Sequence, residues 1–336
     1  MEVKKIKIDK LNNEFNNVCF DLFICCASFE NRCLSVSDNI NKDIIKNVIV
    51  FYNTEYIDTF KDNVEKLNYF YKNNKIIEGK IKIENPLFTA DTIMNSINSI
   101  IVDENTIYNV LIDITTFTHE SLLILEKILL SIYKDKFNIY CIYTSAKNYN
   151  DSNKDETNKW LSKGIFEIRS VLGYSGNIDP SKKTHLVMIS GYEYERSVKI
   201  VEKIEPNFLS ISDSISDSST TSNPELQKFY KKLISQLYIS YKGIKEFNIY
   251  CDDVYKTYKE IYNHILEIEN ESNVVVSALN NKITTIAAGL VGIKKDNVQI
   301  CYAPAVVYNI DDYSTTGDYC YIFNLTDLFK KIEEEN

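Results

Sequence analysis

The sequence predicts an α/β protein made of two copies of one domain, and three observations support this. Apolar strand-like runs alternate with amphipathic segments along the whole chain, a pattern typical of a mostly parallel sheet with helices on both faces. The spaced motif Y-x-x-A-x-x-Y-N starts at Tyr143 and again at Tyr302, 159 residues apart (302 minus 143). An aromatic residue, a glutamate and an arginine also follow the first strand of each half. A period of this length indicates a duplicated domain, because solenoid repeats recur every ~20–50 residues.

The first half alternates strands and helices from its first apolar run. The predicted strands are CFDLFICCAS, NVIVFYN, KIIEGKIKIENP, YNVLIDITTF and FNIYCIYTSA. The helices between them are ENRCLSVSDNI, IDTFKDNVEKLNYFYKN, TADTIMNSINSII and THESLLILEKILLSIY. Thr89 and Thr118 are the predicted N-caps of the last two helices. The half ends with the polar stretch NDSNKDETNKW and a further strand-like run, IFEIRSVLG.

The second half gives the same order of elements. Its predicted strands are THLVMISGY, FLSISDS, FNIYCDD, NVVVSAL and VQICYAPAVVYN, and its helices are YERSVKIVEKI, PELQKFYKKLISQLYISY, VYKTYKEIYNHILEI and KITTIAAGLVGI. A Ser-rich loop, SISDSSTTSN, follows the second strand, and turn-rich IDDYSTTGD precedes a last strand, YCYIFNL. We therefore expect two Rossmann-like domains, each with a terminal hairpin-like extension, over residues 1–176 and 182–336, with the boundary in GYSGNIDPSKK.

Composition narrows the function classes. The formal net charge of −9 argues against a duplex nucleic-acid binder, which would present a basic face. The eight cysteines form no C-x-x-C pair and there are three histidines, so we expect reduced core thiols and no metal site. We expect a cytoplasmic protein with no membrane partner, since no signal peptide or spanning segment is recognisable. Neither G-x-G-x-x-G nor a P-loop occurs, so no nucleotide cofactor is expected.

Ligands of open parallel sheets bind outside the carboxyl ends of the strands, which selects the loops after strands one and four of each half. Hydroxyls, amides and cations in these loops suit phosphate oxygens. Lys282 at a helix N-terminus opposes the helix dipole, which favours a bound anion beside it. The predicted ligand-binding residues are Ser28, Glu30, Arg32, Thr115, Thr116, Thr118, Tyr149, Glu193, Arg196, Asn280, Asn281, Lys282 and Tyr308.

Structural roles for several of these residues remain open alternatives. Glu30 with Arg32, and Glu193 with Arg196, could form local ion pairs at helix starts. Thr118 could only cap its helix, and His119 could be a surface residue of the first turn. The repeated tyrosines, Tyr149 and Tyr308, could line a pocket or pack a hairpin.

Two Rossmann-like units with polar loops after strands one and four resemble the CRISPR-associated Rossmann-fold (CARF) sensors, and more closely the fused pseudo-dimers of the SAVED type. The strand-four motif of those families runs roughly Asp-x-Thr-Gly-Gly-Thr-Lys. The segment Asp113–Thr118, DITTFT, keeps the acid and threonines, while SALNNK, ending at Lys282, keeps the lysine; both lack the glycines. The resemblance implies a cyclic oligonucleotide ligand bound in the seam between the halves.

Three functional hypotheses follow. In the first, the protein is a sensor of a nucleotide signal in bacterial antiviral defence, acting on a separate effector protein. In the second, it is an enzyme that cleaves a nucleotide phosphodiester, as ring-nuclease-like CARF proteins do, with Glu30, Glu193 or His119 as general acid or base. In the third, it is a structural subunit of a larger complex.

Overall fold

The computed structural model describes residues 3–16, 18–103, 105–150, 160–215, 224–241 and 243–335. Within these ranges the predicted fold class is confirmed: the protein is α/β, with two largely parallel sheets flanked by helices. The chain forms two compact units. Unit 1 contains Met1–Asp151 and Tyr313–Asn336, and unit 2 contains Ser152–Asp312.

The strands follow the predicted apolar runs closely. In chain order they are β1 (Lys4–Lys7), β2 (Phe20–Ala27), β3 (Ile45–Asn53), β4 (Lys75–Ile81), β5 (Tyr108–Asp113), β6 (Phe137–Tyr149), β7 (Ser162–Lys163), β8 (Arg169–Ser170), β9 (Lys183–Ile189), β10 (Phe208–Ile215), β11 (Lys245–Tyr250), β12 (Ser272–Ala278), β13 (Val298–Tyr302), β14 (Val307–Tyr308) and β15 (Ser314–Asn324).

The α-helices alternate with these strands. They are α1 (Leu11–Glu14), α2 (Ser35–Asn39), α3 (Lys61–Phe70), α4 (Pro86–Asn98), α5 (His119–Ile132), α6 (Tyr194–Ile204), α7 (Pro224–Leu237), α8 (Val254–Leu266), α9 (Lys282–Lys294) and α10 (Leu325–Glu334). Short 3₁₀ turns precede several of them, including Asn31–Leu34 before α2. Thr118 caps α5 as predicted, whereas Asn85 caps α4 and the predicted cap Thr89 lies inside that helix.

The described parts of the two sheets have the same strand order, apart from β1 at the edge of unit 1. Unit 1 has the order β1-β15-β6-β5-β2-β3-β4, and unit 2 has the order β8-β13-β12-β9-β10-β11. In each, five parallel strands are followed by an antiparallel sixth strand, β15 beside β6 and β8 beside β13. This is a Rossmann-like strand order, so the duplication predicted from the repeated motif extends to the pairing of the strands.

Each unit has its own hydrophobic core. Successive residues of β2 from Leu22 to Ala27 are all buried, which places apolar side chains on both faces of the central strand, as in parallel sheets covered by helices. In unit 2 the strands β9 and β10 contribute Leu186, Met188 and Ile211 in the same way. All eight cysteines are free thiols and six of them are buried, as the sequence predicts.

The compact units divide the chain differently from the predicted boundary between 176 and 182. Residues 160–176 belong to unit 2, and the C-terminal segment from Tyr313 belongs to unit 1. The segment that follows β6 pairs in unit 2, as β7 with β14 and β8 with β13. The segment that follows β14 returns to unit 1 as β15, between β6 and β1. The two halves thus exchange their sixth strands, a long-range pairing that local sequence patterns do not encode.

Three further differences concern segments near the ends of the chain. Part of the turn predicted in IDDYSTTGD is strand, because β15 already begins at Ser314. The N-terminal strand β1 and the C-terminal helix α10 were not predicted, although Leu325, Leu328 and Ile332 have helical spacing. The Ser-rich loop lies almost entirely outside the described residues, and so does the polar stretch before Trp160.

Candidate functional site

The loops selected from the sequence lie at the carboxyl edges of the two sheets. In unit 1, β3 and β4 lie on one side of β2, while β5 and β6 lie on the other. The strand order therefore reverses between β2 and β5, and in unit 2 between β9 and β12. Such a switch point is where open α/β sheets bind ligands. The loops after strands one and four of each unit begin there, so this edge is the candidate site.

In unit 1 the switch point is bordered by a buried arginine, Arg32, whose side chain is 4% exposed. Its Nε and Nη2 atoms donate to Glu30 Oε2 at 3.0 and 2.6 Å, and Nη1 donates to the Thr144 carbonyl at 3.0 Å. Ser314 Oγ donates to the same glutamate oxygen at 2.5 Å. The guanidinium carbon lies 5.8 Å from the centre of the Tyr149 ring. These contacts tie the loop after β2 to β6 and β15.

Unit 2 has an equivalent cluster around Arg196, whose side chain is 2% exposed. Its Nε donates to the Ala303 carbonyl at 2.8 Å, and Nη1 lies 3.4 Å from Glu193 Oε1. Ser162 Oγ donates to Glu193 Oε2 at 2.6 Å. The guanidinium carbon lies 5.2 Å from the centre of the Tyr302 ring. Arginine, glutamate, serine and a backbone carbonyl thus recur together, although the carbonyl of unit 2 follows β13 and the serine comes from β7 rather than β15.

The repeated tyrosines belong to these clusters. Tyr149 is hydrogen-bonded to Tyr143, and Tyr308 to Tyr302, so the first and last tyrosines of each motif copy contact each other. Burial raises the pKa of the Tyr149 and Tyr308 hydroxyls well above the usual value, and these groups stay protonated. Of the two alternatives left by the sequence, the contacts favour packing of the strand extension over lining of a pocket.

The predicted anion-binding arginines and candidate catalytic glutamates therefore contact each other. A carboxylate that accepts from a buried guanidinium and a serine hydroxyl has its charge compensated in place. A ligand would reach Arg32 or Arg196 only after the loop around it moved. In the observed arrangement these four residues fix the loop after the first strand of each unit.

Asp113, at the carboxyl end of β5, is a buried acid that was not among the predicted site residues. Its Oδ1 accepts from the Thr115 backbone N at 3.0 Å and from the Thr115 hydroxyl. Its Oδ2 has no hydrogen-bond partner within the described part of the chain. Burial raises the pKa of Asp113 to about 7, against the lowering effects of Thr115 and Arg32. The acid of the strand-four motif noted in the sequence was the signal for it.

The threonines of this loop also make internal contacts. Thr115 Oγ1 accepts from the Thr144 backbone N at 2.9 Å, and Thr116 Oγ1 donates to the Cys26 carbonyl at 2.6 Å, across the switch point from β5 to β2. Thr118 Oγ1 accepts from Ser121 N at 3.1 Å as the cap of α5. Thr116 and Thr118 remain half-buried, with part of their surface facing solvent.

Ser28 and His119 differ in exposure. Ser28 is half-buried, and its carbonyl accepts from the Asn63 side chain at 2.9 Å, which holds the loop after β2 against α3. His119 is buried in the first turn of α5, not on the surface as one alternative had it.

In unit 2 the asparagines of the strand-four loop connect neighbouring strands. Asn280 Nδ2 donates to the Ser190 carbonyl at 2.5 Å and to Ser214 Oγ at 2.7 Å, and Asn281 Nδ2 donates to the Cys251 carbonyl at 2.6 Å. Asn281 also caps α9 by accepting from Thr284 N. Lys282 is the first residue of α9 and is half-buried.

A second polar cluster in unit 2 was missed by the sequence analysis. Ser210 Oγ lies 2.7 Å from Nε2 of both His185 and His264, and all three residues are buried. One hydroxyl donates one hydrogen, so one imidazole accepts from Ser210 and the other donates to it. Burial lowers the pKa of His185 to about 4 and also lowers that of His264. The cluster lies towards the amino ends of the strands, away from the candidate edge.

Within the described ranges, no three His, Cys, Asp or Glu side chains converge in a way that could hold a metal ion. None of the helices described combines the length and apolar character needed to cross a bilayer. Comparison with known proteins finds no family model that matches the chain and no curated sequence significantly similar to it.

Proposed function

We propose that the protein is a binding module for a nucleotide signal, with an anionic cyclic mono- or oligonucleotide contacting the carboxyl edges of its sheets. The observation that carries the proposal is the repetition of a polar, half-exposed loop at the switch point of both units. Each edge offers hydroxyl, amide or ammonium groups that suit a phosphate oxygen. A separate effector protein and a role in bacterial antiviral defence are part of the same proposal and rest on the CARF and SAVED resemblance.

The contacts proposed for the ligand are the half-buried groups of these edges. In unit 1 they are Ser28, Thr116 and Thr118. The Ser28 hydroxyl accepts from Glu30 N and keeps its own hydrogen for a phosphate oxygen, whereas Thr116 would first release the Cys26 carbonyl and Thr118 would turn its hydrogen away from Ser121 Oγ. In unit 2 they are Asn281 and Lys282 at the start of α9. A phosphate there would receive both the lysine charge and the dipole of a 13-residue helix.

Binding without turnover is favoured over the enzyme alternative by the state of the candidate acids. Glu30 and Glu193 are each engaged by an arginine and a serine, and His119 is buried. A general base must come within hydrogen-bonding reach of the proton that it removes. A phosphodiesterase would need the loop after β2 or β9 to open first.

The test is a thermal-shift screen of the purified protein against cyclic mono-, di-, tri- and tetranucleotides, with linear mononucleotides as controls. A ligand present at ~100 times its dissociation constant adds roughly 2.7 kcal/mol of stability, which raises Tm measurably. Chromatography of each hit then separates the alternatives: recovery of intact ligand supports the sensor, and degraded ligand supports the enzyme. No shift with any cyclic nucleotide would contradict the proposal.

A matched pair of lysine variants localises the site. Lys282→Ala is expected to abolish the ligand-dependent shift while leaving the Tm of the free protein nearly unchanged. Lys294→Ala, at the other end of α9, removes the same charge far from the edge and is expected to keep the shift. Equal loss in both variants would mean that net charge, and not the α9 N-terminus, determines binding.

A further inference from the structure

A small cavity at the carboxyl edge of unit 1 lies where two helices begin. Its lining includes Asn53 at the end of β3, Lys82 after β4, Pro86 at the start of α4, and Thr118 and Glu120 at the start of α5. Thr118 is one of the proposed ligand contacts, so the cavity belongs to the same edge. The cavity volume of about 10 Å³ is that of one water-sized group. A ligand can therefore place one small polar group there, such as a hydroxyl, without moving the walls.

The Asn53 amide is a polar group of this cavity that the fold itself does not use. Asn53 is 9% exposed, and its backbone pairs with Ile81 of β4. Its side chain does not cap the 3₁₀ turn that follows β3, and it makes no hydrogen bond to the residues that the structure describes. Burying an amide without a hydrogen-bond partner is unfavourable, and such a group calls for a role outside the fold.

The walls of the cavity are fixed by hydrogen bonds of their own. Thr89 Oγ1 accepts from the Lys82 backbone N at 2.9 Å and donates to the Lys82 carbonyl at 2.8 Å. The hydroxyl oxygens of Thr118 and Ser121 lie 2.8 Å apart and share a hydrogen bond. A ligand group would therefore meet the Asn53 amide in a preformed site, which limits the conformational entropy lost on binding.

The chemistry of the lining favours a hydroxyl over a phosphate oxygen. The Asn53 amide has both donor hydrogens and an acceptor oxygen, and a hydroxyl can likewise accept and donate. Glu120 lines the same cavity and is 4% exposed. A carboxylate at a site shielded from solvent repels an anionic oxygen but accepts from a hydroxyl. The phosphates of the ligand would then lie outside the cavity, on the side where Lys82 is exposed.

The matching position of unit 2 carries a polar side chain that is already bonded. Ser214 of β10 takes the place of Asn53. The residues three positions earlier, Val50 and Ile211, each pair with the first-strand residue that comes five positions before the glutamate of the arginine cluster. Ser214 Oγ accepts from Asn280 Nδ2 at 2.7 Å. The unengaged amide is therefore a feature of unit 1 and not a requirement of the shared fold.

We infer that this cavity receives a hydroxyl group of the ligand at Asn53, and that unit 1 thereby selects ribonucleotides against 2′-deoxyribonucleotides. The inference rests on the proposed function, since it concerns a nucleotide at the same edge. A ribose 2′-hydroxyl is small enough for the cavity, is uncharged, and both donates and accepts. A site built to bond a hydroxyl rejects the analogue that lacks it, because the polar groups of the site are then left unpaired.

Paired ligands test the inference in the full chain. Each 3′,5′-cyclic mono- to tetranucleotide that raises Tm in the screen is compared, by titration calorimetry, with the analogue in which hydrogen replaces every 2′-hydroxyl. We expect the ribonucleotide to bind roughly 10–100-fold more tightly, the range for leaving a buried polar group unpaired. In Asn53→Leu, which removes the amide but keeps a branched side chain, the affinity for the ribonucleotide should fall to that of the deoxy analogue, whose own affinity should not change.

A matched substitution and a folding control make the result decisive. Asn95→Leu removes an amide from the exposed surface of α4 and should keep the wild-type preference. Tm of the ligand-free variants reports folding, and Asn53→Ala repeats the test with a smaller side chain if leucine lowers Tm. Equal affinity of the wild-type protein for both analogues would overturn the inference alone, as would an unchanged preference in a folded Asn53 variant. Failure of every cyclic nucleotide to bind would instead overturn the proposed function, and this inference with it.

Discussion

The two units share a buried arginine cluster, but they differ in the side chains at the carboxyl ends of the neighbouring strands. Both keep the buried arginine, its glutamate, a serine and the tyrosine pair. The strand ends beside them differ. Ile112 lies opposite Cys141 and Val276 opposite Ile300, so Asp113 in unit 1 corresponds to Ser277 in unit 2. A buried acid and threonines hold one edge together, and the amides of Asn280 and Asn281 hold the other.

This difference indicates which residues the fold needs and which are available for recognition. The arginine clusters bond the loop after the first strand to the end of the fifth strand and to the serine opposite the repeated tyrosine, a task that is identical in both units. The strand-four loops have no such shared task, and their chemistry has diverged. We therefore expect substitutions in the clusters to act equally on both units, and substitutions at the edges to act differently.

The largest expected effect comes from breaking the arginine clusters. Arg32→Met or Arg196→Met leaves a buried glutamate without its cation, which costs roughly 3–5 kcal/mol of unfolding free energy. Urea denaturation measures the loss, and adding Glu30→Gln or Glu193→Gln to the matching variant should recover part of it. The exposed pair Lys199–Glu202 on α6 is the control, since Lys199→Met should change stability by less than ~0.5 kcal/mol. Near-neutral arginine variants would show that the clusters are not structural.

An intermediate effect is expected on the pH dependence of the unfolding free energy, which has opposite signs for a buried group in each unit. Burial lowers the pKa of His185 in unit 2 to about 4. The unfolded chain therefore binds the proton first, and stability falls as the pH drops from about 6.5 towards 4. Asp113, with its pKa raised to about 7, makes unit 1 lose stability as the pH rises from about 4 to 7, because the folded state holds the proton. We expect the unfolding free energy to change by roughly 3–4 kcal/mol for each group over its window.

Two substitutions separate these contributions. Asp113→Asn should flatten the loss of stability between pH 4 and 7, and His185→Gln should flatten the loss between pH 6.5 and 4. Hydrogen exchange followed by mass spectrometry assigns each change to its unit. A wild-type profile unchanged by either substitution would mean that the buried groups do not titrate as their surroundings indicate.

The smallest expected effect compares the two helix caps at the edges. Thr118→Ala and Asn281→Ala each remove an N-cap hydrogen bond and should cost about 1 kcal/mol. Asn281→Ala should cost more, because the same side chain also donates to the Cys251 carbonyl. Chemical denaturation of both single variants tests the order, and a larger loss for Thr118→Ala would contradict it.

Much of the fold could be predicted because its signals are local. Buried parallel strands such as β2 and β12 appear as apolar runs, and Thr118 marks the start of α5 in the sequence itself. The exchange of β15 and β8 could not be predicted, since the local pattern of a segment does not show the unit in which it pairs. For the site, the sequence identified Arg32 and Arg196, but their burial depends on carbonyls of Thr144 and Ala303, more than 100 residues away in the chain.

The position of β15 also sets the order in which the protein can be completed during synthesis. β15 lies between β1 and β6 in the sheet, yet its first residue, Ser314, follows Tyr149 at the end of β6 by 165 residues (314 minus 149). At ~5–20 residues per second, the ribosome needs roughly 10–30 seconds to make that stretch. Throughout this time the nascent first unit has an open groove, and β1 has no neighbour to pair with. Unit 2 can complete its sheet first, because β7 and β8 are synthesised before its other strands. Unit 1 begins earlier in the chain but can complete its sheet only after β15 is made.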